Sequence, residues 1–208
     1  MFVGNKLKIN KIKSLDTRVE KQSFLKLILN NLAVAALTVI IFYLSLLITS
    51  TPIESYNQET IDRAIALLEA KGFDREVFLL RRVATFRGSD NWLNALTEKE
   101  NAYAGTNFPF AIITLYPDFY TKAQDDTERA MVLLHEAQHL QSNDETGSYE
   151  YVWRNRQKLG WTLLSHGTTP TFVTVELQTR ENNPYLFTCP ARLWDDCTEN
   201  LQARRANP

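Results

Sequence analysis

The sequence predicts an α+β chain: one N-terminal transmembrane helix followed by a single, mostly helical domain with a small sheet. Three observations carry this reading. Leu27 to Ile53 contains no charged residue. Beyond it, several stretches repeat apolar residues at the 3.6-residue period of a helix. A single stretch, "FAIITLY", is β-branched and aromatic and lies between prolines, the pattern of a strand.

The chain has 208 residues, 23 of them basic and 24 acidic, so it is near neutral as a whole. The charge is unevenly placed. Residues 1–26 hold seven basic residues against two acidic ones, a net +5, and the acidic excess lies downstream. Residues 1–28 therefore read as a basic cytoplasmic segment. Leu29 to Ser50, 22 residues, is long enough to cross about 30 Å of hydrocarbon as a helix. Its apolar side chains surround the helix, as lipid requires. Asn30 and Asn31 fall near one end, because amides are costly at the bilayer centre. A cleaved signal peptide has a short basic start and an A-x-A site. Here the basic start is long and "LLITSTP" offers no such site, so 29–50 reads as an uncleaved signal-anchor. The positive-inside rule puts the N-terminus in the cytoplasm and 51–208 on the other side of the membrane. The expected localisation is thus a single-pass membrane protein with an extracytoplasmic domain. The basic segment serves topology and anionic lipid, and no nucleic-acid partner is expected.

The two cysteines, Cys189 and Cys197, agree with an oxidising compartment and could close a small disulfide loop. Their spacing does not suit a metal pair.

The outer segment, about 155 residues, is large enough for one domain with its own core. "SYNQETIDRAIALLEAKGF" predicts a helix with Ile61, Ala64, Ile65 and Leu68 on one face, ended by Lys71-Gly72. "DREVFLLRRVATF" predicts a second, weaker at its end. Phe110 to Tyr116 predicts a strand. A third helix follows, with Asp125 as cap and Glu128 three residues on, a capping-box arrangement. Ala130, Leu133, Leu134, Ala137 and Leu140 form its apolar stripe. After Gln141 the chain turns through "SND", and a further helix spans Glu145 to Leu159, stopped at Gly160. "TPTFVTVELQTR" stays open: Pro170 suits a helix start, whereas Val173, Val175 and Leu177 alternate like a strand.

The third helix carries "HEAQH". His135 and His139, one turn apart, can converge on one ion. Zinc takes neutral imidazole nitrogens and carboxylate oxygens in a tetrahedral set. Glu136, beside the first histidine, can stay off the metal and act as general base on a zinc-activated water that attacks a peptide carbonyl. The chain has only three histidines, and two fall in this pattern.

With this motif on an amphipathic helix, the sequence resembles the zincin metallopeptidases over about Phe108 to Leu159, and within them the gluzincin-like group. The resemblance implies Zn²⁺ as cofactor, a peptide or protein substrate, and a zincin-like metallopeptidase domain over 51–208 that hydrolyses peptide bonds. It also implies an edge strand that pairs with extended substrate, for which "FAIITLY" is the counterpart. Glu145, ten residues after His135, stands where the metzincin pattern H-E-x-x-H-x-x-G-x-x-H has its last ligand. Ser142-Asn143 replaces the glycine turn, and asparagine tolerates the left-handed conformation. The Met-turn and the N-E-x-x-S-D pattern are both absent. Glu145 is the first choice for third ligand and Glu150 the second, with Asp144 and Glu176 also open. His166, Tyr149, Arg180 and Tyr185 are of the right type to stabilise an oxyanion. The competing reading is a catalytically inactive zincin-like module that binds metal or peptide.

Overall fold

The computed structural model describes residues 3–96, 102–189, 192–193 and 198, with side chains from residue 24 onward. It divides into two units, residues 1–48 and 49–208. The first is one helix, α1 (Val3–Ile48). Its part from Phe24 to Ile48 is long and apolar enough to cross a membrane. Most of its large apolar side chains are exposed, as a lipid-facing surface would be. The basic side chains up to Lys21 lie outside those described, as do Cys197 and the side chain of Cys189.

The second unit is α+β: helices enclose a small three-stranded sheet. It opens with α2 (Ser55–Ala70), whose buried face is Ile61, Ala64, Ile65 and Leu68, as the periodicity predicts. The helix ends at Lys71, and Gly72 turns the chain with a φ of 70°. α3 (Asp74–Arg82) follows. The weak end of that predicted helix is a strand, β1 (Thr85–Arg87). β2 (Ala104–Asn107) and β3 (Ile112–Leu115) complete the sheet in the order β1-β3-β2. β1 runs parallel to β3, and β2 antiparallel, with Thr106 opposite Ile113.

This order corrects one expectation. The "FAIITLY" strand is the central strand, paired on both sides, with all four of its residues buried. The unbroken run Ile112-Ile113-Thr114-Leu115 marks burial on two faces, which suits the middle of a sheet better than its edge. The edge beside the motif helix is β2, "AGTN". The strand is also shorter than predicted, because residues 108–111 form the hairpin loop, with a cis Phe108–Pro109 bond and Ala111 at φ 52°.

Pro117 opens α4 (Pro117–Thr121). The motif helix, α5 (Asp126–His139), packs against α2, α3, α6 and β2. Nine of its fourteen residues are buried, which leaves it one open arc. Asp125 caps it, accepting from the Thr127 and Glu128 amides. Glu128 turns back as predicted but reaches the Gln124 amide, at 2.7 Å, and the Thr169 hydroxyl. α6 (Glu145–Leu159) starts at the Asp144 cap and ends at Gly160, φ 85°. α7 (Leu163–His166) is a single turn.

The open segment is a helix, α8 (Pro170–Asn182), with Thr169 as cap and Pro170 in its first turn. Val175 is buried, while Val173 and Leu177 point outward, so the apparent alternation was an accident of three apolar residues. Trp153 packs with Trp161, with Phe172 of α8 and with Phe187, and Trp161 with Phe172, at ring separations of 4.7–6.2 Å, which fastens α6 to α8. A two-stranded ribbon, β4 (Thr188–Cys189) with β5 (Arg192–Leu193), closes the described chain.

Candidate metal centre

α5 and α6 meet at a sharp corner, and the corner makes the site. α5 ends in a Schellman motif: the Ser142 amide bonds the His139 carbonyl and the Asn143 amide bonds the Gln138 carbonyl. Its left-handed residue is Ser142, φ 66°, and not Asn143 as the sequence suggested. The asparagine side chain is engaged elsewhere, donating to Gln138 Oε1 at 2.8 Å. Ser142 stands where the metzincin pattern has glycine, so the turn keeps its conformation without its usual residue. Two residues later Asp144 caps α6, and Glu145 becomes its first residue.

This turn brings Glu145 back over the open arc of α5. His135 Nε2 and His139 Nε2 are 3.0 Å apart. Glu145 Oε2 is 3.3 Å from His135 Nε2, and its Oε1 is 3.4 Å from His139 Nε2. A tetrahedral zinc with arms of 2.0–2.1 Å has edges of about 3.3–3.4 Å between ligand atoms. The three donor atoms therefore stand at close to the spacing that one zinc ion requires, and their types are right for it. The Asn143 carbonyl lies 2.9 Å from His139 Nδ1. A carbonyl only accepts, so Nδ1 carries a proton, and Nε2 is the nitrogen that the ring can offer to an ion once its own proton leaves.

The electrostatics agree. Hydrogen bonds from His135 and His139 hold the Glu145 carboxyl well below the usual carboxylate range. Burial opposes a charge on His139, yet Glu145, Glu136 and the Asn143 carbonyl outweigh it and raise the ring to about 9. The site draws positive charge to the point where the three donors converge.

Glu136 is not part of this cluster. It is 4% exposed, and its Oε2 accepts from Thr106 Oγ1 of β2 at 2.7 Å. The Tyr149 ring lies against His135, 4.5 Å between centroids, with its hydroxyl donating to Gln178 Oε1 at 2.6 Å. All of these groups line one cleft of about 950 Å³, walled by β2, the α5–α6 corner and α8.

The other candidates go elsewhere. Glu150 pairs with Arg154 at 2.7 Å and takes a hydrogen bond from Tyr185. Glu176 pairs with Arg180 at 2.7 Å. Asp144 is a helix cap, although it borders the cleft. His166 bonds Asp125 at 3.0 Å. Of the four oxyanion candidates only Tyr149 is among the cleft-lining residues. Sequence reasoning missed Thr106, which lies thirty residues before Glu136 in a stretch with no distinctive pattern. It also missed Gln138 and the Asn143 carbonyl. The middle letters of H-E-x-x-H pass as free positions, and a backbone group leaves no trace in a motif.

Residues 68–168 match the model of Peptidase family M48. That stretch runs from the end of α2 past α7 and includes His135, Glu136, His139 and Glu145. It is a zincin-like family with the H-E-x-x-H motif, and the match supports the zincin resemblance of the motif helix. No curated protein and no solved structure matches the chain.

Proposed function

We propose that this zincin-like chain is a membrane-anchored, zinc-dependent metallopeptidase whose domain, 51–208, faces away from the cytoplasm. The observation that carries the reading is the convergence of His135, His139 and Glu145 at zinc-ligand spacing beside the buried carboxylate of Glu136. Two imidazoles and one carboxylate would hold the ion and leave a fourth position open, the arrangement of a catalytic rather than a structural site. Bound zinc supplies a Lewis acid that polarises a carbonyl and acidifies water.

The chain's own groups do the rest. Glu136 takes the proton of the attacking water and returns it to the leaving amine. Thr106 holds one oxygen of that carboxylate, so the other is the one presented for transfer. β2 borders the cleft and, among the described residues, has a partner strand on one side only. An extended substrate adds to its free edge by main-chain hydrogen bonds, which aligns a peptide bond without demanding a particular side chain.

The test compares two variants of the full-length protein. Glu136→Gln keeps size and hydrogen bonding but cannot accept a proton. It is expected to retain zinc and to lose on the order of 10²–10⁴ in turnover. His139→Ala removes a ligand and is expected to lose zinc. Metal content per chain and mass-spectrometric detection of chelator-sensitive cleavage decide it. Glu136→Gln that cleaves like wild type ends the peptidase reading, and zinc bound without any cleavage by the wild type leaves only a binding module.

A further inference from the structure

His139 meets the metal centre with one ring nitrogen and Asn143 with the other. The support of that second contact continues inward. The Asn143 side-chain Nδ2 donates to Gln138 Oε1 at 2.8 Å, and Gln138 Nε2 donates to Glu76 Oε1 at 3.3 Å. Glu76 lies on α3, sixty-two residues before Gln138, and also accepts from the Tyr151 hydroxyl of α6 at 2.8 Å. Glu76 and Gln138 are 5% and 2% exposed.

We propose that Glu76 is a positioning residue for the metal ligand His139, acting through Gln138 and Asn143. This rests on the metallopeptidase reading and extends it to a residue with no contact to the centre. A carboxylate accepts and an amide has two unlike ends, so Glu76 decides which way Gln138 faces. With its NH₂ on Glu76, Gln138 turns its oxygen to the Asn143 amide. Asn143 is then held with its backbone carbonyl beside the His139 Nδ1–H, and the ring is fixed in orientation and tautomer. Burial and the Glu76 bond push the Tyr151 hydroxyl up to about 12, so it remains a donor. Through Gln138 and Tyr151, one carboxylate ties the helix of the two histidines to the helix of Glu145. A carboxylate buried merely for packing is costly. Among the described residues, the hydrogen bonds that it accepts come from α5 and α6, the two helices that carry the proposed ligands.

The experiment measures zinc affinity of the full-length protein in detergent, by chelator competition, with circular dichroism as the check on folding. Glu76→Ala and Asn143→Ala are each expected to bind zinc about tenfold more weakly, the low end for outer partners of a ligand. The double variant is expected to be no weaker than either single one, because both cut the same chain of bonds. In the cobalt-substituted protein the ligand-field bands of both variants should shift alike. Asn143 is exposed, so its variant remains informative if Glu76→Ala fails to fold. Wild-type affinity in a folded Asn143→Ala or Glu76→Ala overturns the proposal, as do losses that add in the double variant. If the wild type itself binds no zinc, the metallopeptidase reading falls first and the bonds around Glu76 serve packing alone.

Discussion

The Thr106 hydroxyl donates to the Glu136 carboxylate, the contact on which the proposed base depends. A hydrogen bond to a charged acceptor contributes about 1.5–3 kcal/mol. Thr106→Val keeps the shape of the side chain and removes the donor, leaving a buried carboxylate oxygen without it. Turnover is expected to fall about tenfold to a hundredfold while zinc content stays at the wild-type level; Thr106→Ser should restore most of the rate. Steady-state kinetics with metal analysis check this, and a Thr106→Val protein at full speed would remove the residue from the mechanism. At this scale the legible groups were those whose chemistry demands a fixed sequence offset. His135, Glu136 and His139 are tied by one helical turn, and Glu145 by the shortest path back to it. Thr106 reaches the same place across the gap between a strand and a helix, and no local spacing encodes that.

Helix ends were the most legible elements, because caps are local chemistry. Asp125, Gly72 and Gly160 all bound helices where the sequence placed them, and α6 starts at Glu145 as expected. β2 was invisible, since Ala104-Gly105-Thr106-Asn107 is poor in strand-forming residues and owes its shape to pairing with β3. α8 stayed open in the sequence, between a helix-opening proline and alternating apolar residues, and its tertiary contacts, through Phe172 and Val175, decide its period. The corner between α5 and α6 holds the sharpest prediction. Ser142 adopts a left-handed backbone that costs a residue with a Cβ roughly 1 kcal/mol or more. Glycine relieves this but loses more entropy on folding. Ser142→Gly is therefore expected to stabilise the domain by about 0.5 kcal/mol, a rise of roughly 1–2 °C in Tm, with zinc affinity unchanged. A calorimetric scan showing a lower Tm would mean that the serine hydroxyl makes a contribution larger than the strain.

For the molecule as a whole, the boundary at residue 48 predicts a separable anchor. The full chain is expected to stay with the membrane through an alkaline carbonate wash, as a spanning helix does. A chain starting at Thr49 is expected in the soluble fraction, folded and binding zinc as well as the full chain. Protease added outside intact cells should digest the domain and spare the N-terminus, the sign that follows from the +5 flank. Release of the full chain by the wash, or digestion of an N-terminal tag alone, would refute the anchor or its direction.

The corner between α5 and α6 has one further consequence. The two histidines and Glu145 lie within eleven consecutive residues, so an ion that joins them closes a very short loop. Little loop-closure entropy opposes that event. Such an ion would tie α5 to α6 across the corner that they share. An ion that binds only the folded arrangement adds about 2.7 kcal/mol at a concentration a hundred times its dissociation constant. Thermal resistance should therefore follow free zinc in the medium, rising with it and falling when a chelator is added.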